Sequence, residues 1–484
     1  MRFWLRSIWQ PVQAERESSM TELPSKTFCA LPWVHLSSRP DGAMRVCCTA
    51  NASSVQDPDS TKKSGGGQIG VLRTADGTPA NLNNSTLMEA WNNDYMRNVR
   101  KMMLRGEKPP SCLKCYKEEE AGVQSKRNWE TAYWIDELGL DDIISDTTED
   151  GAVSPRIRYL DLRLGSKCQL ACVMCSPHDS SGWVKEWNEM YPQIQNNRLK
   201  ESWNWADKGK QHGASYNWHM NNPEFWSQLY DQIPHMKQLY FAGGESTIIE
   251  EHYTLLEEVI KRGHAKDIEL RYNSNAVELP QRLFDCWSHF RRVKFHFSMD
   301  SFGDKNDYIR YPSNWDQLVA NMHKLDNTPD NVMVTTAVTV MALNIYYIPD
   351  MIKWKLSQNF KKFNSWPNGA GMINWHLAYW PPQLNVKVLP KWAKQMVREK
   401  FEEFFLWLED NWQNTTGAAQ SGISKEDFFK AGYGIKRLRG LLDFMDKEDW
   451  SERMPELQEW IKLLDRQRGL SFVDTFPEIS GLLD

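Results

Sequence analysis

The stretch Arg156–Cys175, "RIRYLDLRLGSKCQLACVMC", reads as a strand running into a loop with cysteines at 168, 172 and 175. "RIRYLDLRLG" is the first of six strand-like runs; the others are "KQLYFAGG", "DIELRYNSN", "RVKFHFSMD", "NVMVTTAVTV" and "MINWHLAYW". Between most of them lie amphipathic helix candidates: "IIEEHYTLLEEVIKRGH", "LPQRLFDCWSHF", "NWDQLVANMHKL" and "YYIPDMIKWKLSQN". Repeated strand–helix units predict a parallel sheet, curled into a full or partial barrel or left open. In either form ligands are expected beyond the C-terminal ends of the strands, where the three cysteines begin.

Three thiols are one short of a closed tetrahedral shell. They can hold three irons of a four-iron, four-sulfur cluster and leave the fourth open to an exchangeable ligand; a zinc site with a distant fourth ligand has the same local spacing. The chain has 484 residues, enough for two or three domains, and 58 basic against 63 acidic side chains give a net charge of -5. That balance offers no global basic field for nucleic acid. No apolar run approaches the ~20 residues of a membrane span, and "MRFWLRSIWQPVQAERESSM" lacks the apolar core of a secretory signal. A cytoplasmic protein with a loose N-terminal arm over 1–24 is expected, with Met20 as an alternative start.

The nine cysteines cluster at 29, 47, 48, 112, 115, 168, 172 and 175, with Cys286 apart, a pattern of metal ligation rather than of a secreted disulfide scaffold. Cys286 in "RLFDCWSHF" reads as a small buried apolar side chain. Residues 25 to 120 form a loop-rich unit. "CALPWVHLSSRPDGAMRVCC" predicts two short strands around Asp41-Gly42, "NASSVQDPDSTKKSGGGQIG" is a loop, and "TLMEAWNNDYMRNVRKMMLRGEKP" has helical spacing that delivers the chain to "CLKC". Cys29, Cys47, Cys112 and Cys115 supply four thiols, enough for a closed cluster or zinc shell; Cys48 is spare, or a substitute for Cys47. Trp occurs 23 times, many in 181 to 226 and after 353, where stacking surfaces compete with ordinary core packing. A long segment between the first two barrel strands, with its insertion at 180–230, predicts a lid or substrate-shaping excursion. Helices after about 386 predict a cap.

Cys168-x3-Cys172-x2-Cys175 at the end of a first barrel strand resembles the signature of the radical S-adenosylmethionine (SAM) enzymes. "YFAGGEST" resembles that family's GGE segment, which implies contacts from Gly243, Gly244 and Glu245 to the amino end of SAM. "RYNSNA" resembles the third-strand segment and implies Asn273 and Asn275 near the site. "FSMDS" resembles the fourth-strand segment and implies that Ser298 and Asp300 face the ribose. "DYIRYPSNW" implies Arg310 as partner of the SAM carboxylate, and "VTVMALN" brings Asn344 close. Met174 stands where the family commonly has an aromatic residue against the adenine, and a flexible thioether can cover the same face.

Residues 27 to 120 resemble the SPASM/twitch extension of the same family, in its shorter one-cluster form and placed before the barrel rather than after it. The resemblance implies an α/β fold: a partial (β/α)6 TIM-like barrel over 151–385, a small N-terminal Cys-rich α+β cluster domain with linker over 25–150, and a C-terminal helical cap over 386–484. It implies two [4Fe-4S] clusters, one binding SAM on Cys168, Cys172 and Cys175 and one auxiliary. It also implies a low-potential electron donor of flavodoxin or ferredoxin type, and reductive cleavage of SAM to a 5'-deoxyadenosyl radical that abstracts hydrogen from substrate. A peptide or protein is the favoured substrate and a small metabolite or sugar the alternative. From another class, a non-catalytic iron–sulfur or zinc scaffold that binds a partner is the competing expectation.

Overall fold

The computed structural model describes residues 22–50, 72, 80–83, 85–120, 124–209, 215–364, 372–412, 424–426 and 435–484. Met20, most of the N-terminal arm and the loop over 51–70 lie outside them. All six strand-like runs form strands: β3 (Tyr159–Leu162), β4 (Gln238–Phe241), β5 (Glu269–Ser274), β6 (Arg292–Ser298), β7 (Val332–Val340) and β8 (Asn374–Leu377). They pair in chain order, all parallel, with helices such as Glu250–Lys261, Gln281–Trp287, Trp315–Asp326 and Ile348–Ser357 in the crossovers. This is the partial barrel that the sequence predicts.

The hairpin of the Cys-rich unit is part of the same sheet. β1 (His35–Ser38) and β2 (Met44–Arg45) pair antiparallel around the Asp41-Gly42 turn, and β1 then pairs parallel with β3 at His35↔Tyr159 and Ser37↔Asp161. The sheet therefore runs β2-β1-β3-β4-β5-β6-β7-β8. Gly42 has φ +84°, and a Cβ there would stand 2.9 Å from Asn81 Oδ1, so the turn requires glycine.

Strand alternation sorts the two faces. Phe241, Tyr272 and Phe295 meet His252 and Trp287 of the crossover helices, which makes theirs the outer, helix-covered face. The opposite face carries Asp161, Tyr240, Arg271, Lys294 and His296, register neighbours across β3 to β6. A closed (β/α)8 barrel fills its lumen with branched apolar side chains; this lumen is lined with polar ones. The helix Lys126–Leu138 lies against the lower part of that face, with Trp134 stacked on Tyr159 and Arg271 over the Tyr133 ring.

The insertion and the C-terminal region form one tryptophan-rich core. Trp183 and Trp187 on the helix Trp183–Met190 and Trp203 on Asn197–Gly209 gather around Trp460 of Met454–Arg468, with ring centroids 4.9 to 6.3 Å apart. All four are fully buried, so here tryptophan serves packing rather than ligand stacking. Cys286 is buried as expected. Among the described residues no helix is long and apolar enough to cross a membrane.

Candidate functional site

The loop after β3 is fixed from three sides. Ala171 N donates to Tyr311 O at 2.6 Å and Val173 N to Ile309 O at 2.8 Å, so the loop lies against the segment that carries Arg310. Trp183 Nε1 donates to Cys172 O at 2.9 Å, and Arg468 Nη2 to Ala171 O at 2.6 Å. Arg468 is itself paired with Glu186 and stacked between Trp183 and Tyr311. On the third side Glu245 N donates to Lys167 O at 2.7 Å. Gly244, at φ +57°, permits this contact, because a Cβ would come 2.7 Å from Lys167 O. Gly243 brings the same turn against the Arg163 side chain. The two glycines thus have a reason in how β4's turn meets the cysteine loop.

Cys168, Cys172 and Cys175 sense one another electrostatically, and burial pushes all three thiols up, Cys172 to about 12. Such thiols bind metal only by releasing protons to solvent as the metal arrives. Arg310 favours that exchange. Its Nη1 reaches Cys172 Sγ at 3.9 Å, and although burial alone lowers its pKa, Asp300 and the thiols raise it.

Other expected site residues are bound within the protein. Glu245 is 1% exposed, and its carboxylate accepts from Thr247 N, Thr247 Oγ1, Ser274 Oγ and Asn275 N, tying β4's end to β5's. Asp300 pairs with Arg310 Nε at 2.8 Å and accepts Thr339 N at 2.6 Å. Asn344 donates to Asp300 O and Thr339 O and accepts Met341 N, which spends the side chain. Asn275 reaches Cys168 Sγ at 3.6 Å and Gln169 Oε1 at 3.3 Å. Asn273 and Ser298 lie at the C-terminal ends of β5 and β6, with Asn273 the register partner of His296. Met174 packs half-buried on the core. The Arg468 clamp is what sequence reading missed: it lies 297 residues from its acceptor, with no local signal.

The second thiol set comes from four short segments. Cys29 precedes the turn Leu31–Val34, Cys47 follows β2, Cys112 closes the 3-10 turn Pro110–Cys112, and Cys115 lies in Leu113–Glu120. All four line one cavity, together with Lys126 and Arg127. Burial raises their thiols, Cys112's further through Cys47 and Cys115. Cys48 is not in that lining; it acts electrostatically on Arg45, Lys126, Arg163 and Tyr240. Among the described residues no three His, Cys, Asp or Glu close around a single ion. Four soft thiols set around a cavity suit a cluster, whose cube holds its ligands farther apart than one zinc ion does.

Comparison with known families matches residues 29–116 to SPASM, the iron–sulfur cluster-binding domain, an interval that opens on Cys29 and closes just after Cys115. No curated protein matches. Solved structures give distant likenesses: TYW1 with a lysine–pyruvate adduct bound (13% identity, 41% of this chain and 60% of that one, TM-score 0.23); Streptococcus suis SuiB (12%, 55% and 53%, TM-score 0.26); and SuiB bound to S-adenosylmethionine (10%, 66% and 64%, TM-score 0.29). The chain spans between about half and just under two thirds of their lengths. Fold and site together are a partial parallel barrel with a three-thiol loop on its rim. The segment that matches the SPASM iron–sulfur domain, residues 29–116, precedes the barrel strands β3 to β8.

Proposed function

We propose that the chain is a radical SAM enzyme that modifies a peptide or protein. The observation that carries this reading is the contrast between the two thiol sets, four lining one cavity and three on the barrel rim beside Arg310. Cys168, Cys172 and Cys175 would hold a four-iron cluster that, with SAM, would supply one-electron carbon–sulfur cleavage and radical hydrogen abstraction from substrate.

The protein's own share is orientation and exclusion of water. Asp300 holds the Arg310 guanidinium against the loop, where its remaining donors can meet a carboxylate. The turn at Gly243 and Gly244 keeps the β4 end against the loop, and Asn275 donates toward Cys168 from β5. Trp183 of the insertion and Arg468 of the C-terminal helix hold the loop by its Cys172 and Ala171 carbonyls, which supports reading these two segments as a cover for the rim. The auxiliary thiols, fully supplied with ligands, suit electron relay or a structural role. A peptide is favoured because the SPASM extension, by resemblance, accompanies peptide modification.

Anaerobic reconstitution is expected to give roughly eight irons per chain. Reduced holoenzyme with SAM is expected to release 5'-deoxyadenosine, and Cys168→Ala, Cys172→Ala and Cys175→Ala to abolish that release. SAM left intact under reduction contradicts the activity. Zinc in place of iron at Cys29, Cys47, Cys112 and Cys115 contradicts the auxiliary cluster alone.

A further inference from the structure

Arg45 ends β2 on the face it shares with its register partner Ser37 and, one strand on, Asp161. It is 5% exposed. Among the described residues its guanidinium makes one hydrogen bond, Nη1 donating to Cys48 O at 3.3 Å, and its buried Nε has no acceptor. No carboxylate among the described residues stands within ion-pair distance of it, and two of its electrostatic neighbours, Arg163 and Arg39, are cations. Arg163, on the adjoining edge of the lumen, has its Nε 3.7 Å from Asp161 Oδ1 and makes no hydrogen bond from that nitrogen. Asp179 also acts electrostatically on Arg163. Asp161 already accepts Ser37 Oγ at 3.0 Å and faces both guanidiniums, while Lys126 has its own partner in Glu130 at 3.3 Å. Asp161 is thus the carboxylate that both guanidiniums face, with Arg45 buried and Arg163 partly exposed.

A buried guanidinium is costly unless paired and hydrogen-bonded, and its planar fork fits carboxylate and phosphate in two-point contact. We propose that Arg45 and Arg163 form an anion-binding subsite on the lumen wall that holds a carboxylate or phosphate group of the substrate. On the peptide reading, from which the lumen's role as substrate chamber follows, that group is an Asp or Glu side chain or a free C-terminus. In sequence Arg45 lies two residues before Cys47 and Arg163 five before Cys168.

The test is titration of reconstituted holoenzyme with acetate or inorganic phosphate at constant ionic strength, read by calorimetric binding and by melting temperature. Saturable binding that raises the melting temperature of the unaltered protein is expected, with at least a tenfold weaker response in Arg45→Met and in Arg163→Met. Of the two probes, the tighter identifies the group. Arg45→Met, freed of an unpaired cation, is expected to melt no lower than the unaltered protein in anion-free buffer. Should it fail to fold, Arg45→Lys keeps the charge, loses the fork, and is expected to show the same weakening. No saturable binding by the unaltered protein, or equal binding by Arg163→Met and Arg45→Lys, overturns the proposal. SAM cleavage by the unaltered enzyme without added anion is scored separately, so either reading can fail while the other stands.

Discussion

Asp300 carries more of the rim than a ribose contact would ask of it. Its carboxylate is fully buried, and burial raises its pKa against the pull of Arg310. Asp300→Asn leaves the Arg310 cation buried without its pair, a change of about 3–5 kcal/mol by the usual cost of breaking such a pair. Urea unfolding of the apo-protein checks it; an unchanged midpoint contradicts the structural role. His178, three residues past Cys175, is a second junction, facing Asp179 at 3.5 Å and Asp41 of the hairpin at 3.7 Å. Burial pulls its pKa down, but the hydrogen bonds to those carboxylates outweigh it and leave it raised. A raised base adds stability that is full below its unfolded value, about 6.5, and is lost as pH rises through the folded value. The melting temperature is expected to fall across that window and the fall to flatten in His178→Gln; an identical pH slope in the variant contradicts it. At this scale the sequence revealed residue types and order, including the thiols, Arg310 and the two glycines. It could not reveal that Glu245, Asp300 and Asn344 spend their polar atoms on neighbours, because those partners are set by three-dimensional approach.

At the scale of elements, the six barrel strands and their crossover helices were legible because alternation and helical spacing are local. The junction of β1 with β3 was not: it pairs residues 124 positions apart, and a four-residue strand carries no mark of its partner. The helix Met454–Arg468 illustrates the same limit, since its Arg468 holds the cysteine loop from the far end of the chain. Arg468→Met is expected to loosen the loop and lower iron bound at Cys168, Cys172 and Cys175 while sparing the SPASM set. Iron per chain in a Cys29→Ala/Cys47→Ala background measures it; full occupancy contradicts the clamp. Gly244→Ala places a side chain at positive φ and 2.7 Å from Lys167 O, so a loss of more than about 1 kcal/mol is expected in denaturant unfolding. A neutral result would mean the turn can withdraw from the loop.

Across the whole molecule, one continuous sheet joins the SPASM hairpin to the barrel, so the two thiol sets are held by a common framework. The polar lumen face of that sheet carries Arg45, Arg163, Arg271 and Lys294. In the proposed function one cluster is open and the other closed. Electron paramagnetic resonance of reduced protein with and without SAM tests it most directly, using variants that retain one set each. With Cys29→Ala/Cys47→Ala the remaining signal is expected to shift on adding SAM; with Cys168→Ala/Cys172→Ala/Cys175→Ala the remaining signal is expected not to respond. A SAM-insensitive signal from the rim set, or a SAM-dependent shift from the SPASM set, would contradict the account.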